Sequence, residues 1–186
     1  MKLLLASRNP HKLREWRQAL PAWEIEPAGG VDEPDEDGST FEENARIKAL
    51  HGVTRGGADW VVGEDAGIEV DALGGAPGIA SARWAADGVA RLLSELRHAD
   101  GRSARYVCEV VAVGPRGAEL RASGTLEGTI ATAPRGNEGF GYDPIFVPLG
   151  ESRTVAELGS AWKAQHSARA KAASSLAERL GASDTL

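Results

Sequence analysis

The spacing of apolar and polar positions changes along the 186-residue chain, and each spacing predicts an element. Residues 2–6 are a short apolar run, a buried first strand. A polar turn, Ser7-Arg8-Asn9-Pro10-His11-Lys12, leads into Leu13, Trp16 and Leu20 at helical spacing. Residues 23–27 form a second strand, and residues 29–38 a mobile, solvated loop carrying Asp32, Glu33, Asp35, Glu36 and Asp37. Residues 40–50 are helical, opened by a capping box of Thr40 with Glu43. Trp60-Val61-Val62 predicts a strand ending in the adjacent acids Glu64 and Asp65, and the glycines and proline of residues 73–78 break regular structure. Val89, Leu92, Leu93 and Leu96 mark an amphipathic helix, and residues 105–113 and 118–130 an antiparallel strand pair. A second glycine-rich loop, residues 136–144, precedes a helical piece at 155–158 and a helix over 161–180. That last helix gathers Lys163, His166, Ser167, Arg169 and Lys171.

Composition narrows the classes. The length suits one well-buried core, a single domain over residues 1–186 or two tightly joined lobes. A hydrophobic content of 42% and a charged content of 26% are ordinary for a soluble globular chain. The net charge of -6, without a dense Lys/Arg run, provides no basis for coating nucleic acid. No apolar run approaches the ~18–20 residues of a membrane helix, and the N-terminus has no secretory layout. The expectation is a cytoplasmic protein with neither a nucleic-acid nor a membrane partner. The single cysteine, Cys108, lies in an apolar run and reads as a buried small hydrophobe.

A strand ending in carboxylates delivers them where open α/β sheets place ligands. Glu64 and Asp65, followed by a shaped loop, therefore suggest a metal or acid/base site, although a solvated strand end with a turn has the same pattern. The strand, polar turn and helix of residues 2–20 form a layout that binds phosphate at free helix N–H groups. Neither GxxxxGK nor GxGxxG occurs there, so Ser7, Asn9 and Lys12 would supply hydroxyl, amide and charge. A capped helix with a surface lysine explains the same residues. Asn44 and Lys48 share one helical face, and Glu43 either completes the capping box or shares a metal with Asp65. The acidic loop fails as a calcium loop: aligned on Gly38, its first ligand is Glu33, Pro34 follows, and the closing acid is Asn44. Phe140 or Tyr142 can stack on a planar ligand, worth ~1–3 kcal/mol per base. Alternatively Phe140 fills the core and Asp143 starts a turn before Pro144.

Together these segments resemble the inosine triphosphate pyrophosphatase (Ham1-like) family, end to end and in order. Ser7-Arg8-Asn9-Pro10-His11-Lys12 is similar to the family's [ST]-x-N-x-x-K element, and residues 40–49 to T-F-x-E-N-A-x-x-K-A. Residues 64–83 resemble D-D-S-G-L-x-V-D-x-L-G-G-A-P-G-x-x-S-A-R, residues 139–146 G-F-G-Y-D-P-I-F, and residues 163–169 K-x-x-x-S-H-R. The resemblance implies an α/β fold: a long mixed twisted sheet flanked by helices, two lobes and a central nucleotide cleft. It implies a Mg2+-dependent hydrolase, usually a homodimer, that converts ITP, dITP or XTP to the monophosphate and pyrophosphate. By motif position Asp65 is the metal-binding acid and base for water, with Glu43 sharing the metal and Glu64 a further candidate. Ser7, Asn9, Lys12 and Lys48 hold phosphates, with Ala66 in a phosphate-contacting slot. Phe140, Gly141, Tyr142, Asp143 and Lys163 form the base pocket, Ala168 occupies a base-reading slot, and Arg169 reads the 6-oxo group.

The chain departs from that pattern at three places. Glu64 replaces the first aspartate, Ala66 replaces a serine that would contact phosphate, and Ala168 replaces the base-reading histidine. His166 is no simple substitute, since at ~100° per residue it points away from position 168. An arginine donates to a 6-oxo group and has nothing to accept from the 6-amino group of ATP, but GTP also carries a 6-oxo group. Two other readings therefore accompany the leading one: the same chemistry on a different or modified nucleotide, or a nucleotide-binding protein without turnover.

Overall fold

A computed structural model describes residues 1–29, 33–53 and 60–183. Among the described residues six strands form one mixed sheet: β1 (Lys2–Leu5), β2 (Glu24–Pro27), β3 (Trp60–Val70), β4 (Ser103–Val113), β5 (Glu119–Ile130) and β6 (Phe146–Pro148), in the order β2-β1-β3-β4-β5-β6. β1 runs parallel to β2 and β3, and β6 antiparallel to β5. Parallel neighbours need crossover connections. Helices α1 (Pro10–Ala19) and α2 (Phe41–Val53) provide them, and α3 (Gly88–Glu95), α4 (Val155–His166) and α5 (Ala168–Ser183) complete the chain.

The described residues form two compact units. One comprises the described residues within 1–65, 108–124 and 168–183; the other comprises residues 66–107 and 125–167. In the first, Leu3, Leu5, Trp16, Val62, Val111 and Leu176 are fully buried, and α1 packs against α5. The second is centred on Ile68, Leu92, Ile145 and Phe146.

The predicted elements recur with three informative differences. β3 does not end at the acids but runs on through Glu64 and Asp65 to Val70, so both sit inside a strand. Buried carboxylates are tolerated there because each has cationic partners, described below. β6, only three residues long and ended by Pro148, was not anticipated. The terminal helix is also broken: Ser167 adopts extended backbone (ψ 157°) and caps α4 through its N–H to Lys163 O at 3.1 Å. Lys163 and Arg169 thus lie on different helices and in different units, not on one continuous face.

Gly63 sets how α2 lies on the sheet. A Cβ there would stand 2.0 Å from Ala45 O and 2.5 Å from Ala49 N, so the α2 backbone rests directly on the strand. Ala45, Ala49, Val111 and Val113 line the same contact. We expect Gly63→Ala to push α2 outward and cost about 1–3 kcal/mol by overpacking. Thermal melts should show this as a Tm fall of roughly 3–10 °C. An unchanged Tm would mean the helix is not seated by this glycine.

Candidate active site

Successive strand residues face opposite sides, so Glu64 and Asp65, adjacent in sequence, serve different layers of the first unit. Asp65 shares the Gly63 face with α2. Its Oδ1 accepts from Lys48 Nζ at 2.9 Å and its Oδ2 from Asn44 Nδ2 at 3.3 Å. Asn44 and Lys48 do share one face of α2, and both are buried. Lys48 also donates to the backbone oxygen of Glu64 at 3.2 Å and pairs with Glu36 Oε1 at 2.7 Å. Burial alone would lower its pKa, but the charges of Asp65 and Glu36 outweigh this and raise it. The charged ammonium is therefore favoured beside Asp65.

Glu64 turns to the opposite face, where α1 and α5 meet, and is wholly buried. Its Oε2 accepts from Trp16 Nε1 at 2.6 Å and Arg169 Nε at 2.8 Å, while Oε1 faces Arg169 Nη2 at 2.9 Å and Lys12 Nζ at 3.0 Å. Arg169 Nη1 bonds Glu15 Oε2. Two acids and two bases thus balance within one buried cluster. Burial favours the neutral acid at Glu64, but Arg169 and Lys12 more than reverse this and hold it far below the usual carboxylate range. Cys108, also buried, has its thiol pKa pushed up by burial and then by Glu64. Three nitrogens of Arg169, expected at a base 6-oxo group, are engaged with carboxylates of the first unit in this structure. Glu64, a candidate metal ligand by motif, faces away from Asp65 and is saturated by these donors. Glu15 escaped the sequence reading, as did the bond of Trp16, read there only as an apolar helix position, since neither residue type signals a partner 154 or 48 positions away.

The turn before α1 is organised internally. Asn9 caps the helix, its Oδ1 accepting from the N–H groups of His11 (2.9 Å) and Lys12 (3.4 Å), and Ser7 Oγ accepts from Asn9 N–H at 3.2 Å. Ser7, Arg8, Glu33, Pro34, Lys48 and His51 are among the residues that line a shallow hollow open to solvent. The described part of the acidic loop is not a free solvated segment. Glu33 takes Arg8 N–H at 3.1 Å, Glu36 takes Lys48, and Gly38 N–H bonds Asn44 Oδ1 at 2.9 Å. Asp32 lies outside the described residues. Glu43 is exposed at the start of α2; its Oε2 accepts from Ser39 N–H (2.7 Å) and Oγ (2.6 Å), and its N–H donates to Thr40 Oγ1 at 3.1 Å. The expected capping box therefore reaches one residue further back. The Ser39 hydroxyl is the main cause of a lowered Glu43 pKa.

In the second unit, Asp143 organises the aromatic loop. It is almost completely buried; Oδ2 accepts from Lys163 Nζ at 2.6 Å and Phe140 N–H at 2.8 Å, and Oδ1 from Tyr106 hydroxyl at 3.1 Å. Gly139 is required in this turn: φ is 78°, and a Cβ would lie 2.2 Å from Asp143 Oδ2. Lys163 Nζ stands 4.3 Å over the half-buried Phe140 ring. Tyr142, not Phe140, is the ring committed to the interior, its hydroxyl donating to Ser81 O at 3.0 Å. Gly141 is exposed with φ 62°, and Ala66 is half-buried where β3 enters this unit. His166 stacks on Trp162 at 4.7 Å. Ala168 is buried at the start of α5 in the first unit, its carbonyl facing Gly124 of β5.

Comparison with known proteins places this geometry. The sequence pattern of the Ham1 family matches residues 3–179. A Bdellovibrio bacteriovorus protein named dITP/XTP pyrophosphatase is 42% identical over 196 aligned positions, covering 97% of this chain and 98% of its own. The solved structure of the Staphylococcus aureus Ham1 protein superposes with a TM-score of 0.85 at 34% identity, covering 98% of this chain and 100% of its own. A Coxiella burnetii HAM1 protein structure does so with a TM-score of 0.86 at 35% identity, covering 98% and 99%. With matches of this depth across nearly its whole length, the chain belongs to the Ham1 family.

Proposed function

We propose that the protein hydrolyses deaminated purine nucleoside triphosphates (ITP, dITP and XTP) to the monophosphate and pyrophosphate. The observation that carries this reading is Asp65: a buried carboxylate braced by Asn44 and paired with Lys48, in a chain whose relatives include named dITP/XTP pyrophosphatases. Water attacks the α-phosphorus, the bond from α-phosphorus to the bridging oxygen breaks, and pyrophosphate departs. Asp65 accepts a proton from the attacking water, and Lys48 offsets phosphate charge; such reactions depend mainly on positioning and electrostatics.

Among the described residues no three His, Cys, Asp or Glu side chains group closely enough to hold a metal by themselves. Magnesium suits that donor set, since it takes one or two carboxylates with substrate phosphate oxygens and keeps several waters. Asp65 and, from the family pattern, Glu43 would hold it; when bound it would neutralise phosphate charge and acidify water. Phe140 and Lys163, set by Asp143, would meet the base. Arg169 would reach a 6-oxo group only by releasing Glu64 or Glu15.

The test is pyrophosphate release with magnesium from ITP, dITP, XTP, GTP, ATP and the pyrimidine triphosphates. We expect ITP and XTP to exceed ATP in kcat/KM by at least about 100-fold, the scale set when a polar pocket rejects a mismatched group. A flat or shifted profile would move the activity to another base, for which Ala168 and the engaged Arg169 speak. No turnover with any nucleotide would overturn the enzymatic reading.

A further inference from the structure

The cations beside the hollow already hold anions, and those anions come from the chain itself. Glu33 Oε1 takes the backbone N–H of Arg8 at 3.1 Å, and its Oε2 lies 3.4 Å from the Arg8 guanidinium. Glu36 Oε1 lies 2.7 Å from Lys48 Nζ, whose other side holds Asp65. A backbone N–H, a guanidinium and an ammonium together are the donors that phosphate oxygens use, and carboxylates compete for the same geometry. The segment is secured as well as charged, because Gly38 N–H bonds Asn44 Oδ1 at the start of α2.

We propose that Glu33 and Glu36 form an autoinhibitory contact, internal anions that hold Arg8 and Lys48 until the phosphates of a nucleotide displace them. The inference rests on the phosphate-binding part of the function proposed above. It adds that binding is an exchange of anions, so affinity is set partly by residues that never touch substrate. The two contacts differ in strength. Arg8 and Glu33 are 56% and 51% exposed, so their pair is weak and screened by salt. Lys48 and Glu36 are 10% and 31% exposed, so Glu36 is the stronger competitor.

The test compares Glu33→Gln, Glu36→Gln and the double variant with the parent protein. Binding of inorganic pyrophosphate is measured by calorimetry and turnover of ITP by pyrophosphate release. Glu33→Gln should tighten pyrophosphate binding up to about fivefold, the range of an exposed pair. Glu36→Gln should tighten it on the order of tenfold, and the double variant by roughly the product. The KM for ITP should fall in parallel, with kcat within about twofold. Tighter pyrophosphate binding without turnover of any nucleotide would support the contact while removing the enzymatic reading. Normal turnover with unchanged or weaker pyrophosphate binding overturns the contact, as does failure of pyrophosphate to bind any of the proteins. Hydrogen exchange on the parent protein gives a check free of substitutions. Pyrophosphate should increase exchange across residues 33–38, and unchanged or slower exchange there counts against displacement.

Discussion

Asp65→Asn is expected to lower turnover of ITP by about 10²–10⁴-fold, the usual contribution of a positioned general base, while leaving the Tm within a few degrees. The amide keeps the size and shape of the side chain, and its oxygen can still accept from Lys48 or Asn44. Lys48 retains Glu36 as a counter-charge, so no buried cation is stranded. What disappears is the capacity to accept a proton and to offer an anionic oxygen to a metal. Single-turnover kinetics beside a thermal melt separates the two effects. Near-normal turnover in a folded Asp65→Asn protein would remove Asp65 from the chemistry.

Glu64→Gln should do the reverse, costing stability first. On the opposite face of the same strand it removes the carboxylate charge that Arg169 and Lys12 share, while Glu15 still bonds Arg169. Breaking a buried ion pair from one side typically costs about 3–5 kcal/mol. For a chain of this size that corresponds to a Tm fall of roughly 6–20 °C. The pH dependence provides an independent signature. Because the folded pKa of Glu64 is depressed, the unfolded chain binds the proton more readily. The contribution is therefore complete above the ordinary glutamate pKa of about 4.3 and is lost progressively as pH falls below it. The Tm gap between the parent protein and Glu64→Gln should be constant near neutral pH and narrow below about pH 4. A gap that stays constant into acid would mean that the cluster does not depend on the ionised Glu64.

The contrast between these neighbours shows where local sequence stops being informative. Elements were legible because their signals are local: the apolar run before Ser7, the spacing of Leu13 and Trp16, and the start of α2 at Thr40. Asn44 and Lys48 could be placed on one helical face from their separation alone, and both do reach Asp65. The motifs likewise led to the family, since they occur in order over almost the whole chain. The strand carrying Glu64 and Asp65 was read as ending at them, because buried acids look like strand terminators until their counter-charges are known. Those counter-charges come from Lys12, Lys48 and Arg169, the last 105 positions away.

By itself, then, the sequence determined most of the strands and helices in their order, though not β6 or the break at Ser167, together with the family and a set of candidate residues. Only the tertiary structure decided which of them act together. Strand alternation sends Asp65 to α2 and Glu64 to α1 and α5, so two acids that look like a pair become a candidate catalytic group and a structural ion-pair centre. The break at Ser167, where no glycine or proline signals one, divides Lys163 from Arg169. Glu33 and Glu36, which in sequence are charges on a polar loop, become the partners of Arg8 and Lys48. The physical reason is common to all three. Periodicity specifies which way a side chain faces, whereas the charge or surface that meets it is supplied by segments far away in the chain, and is settled only when they pack.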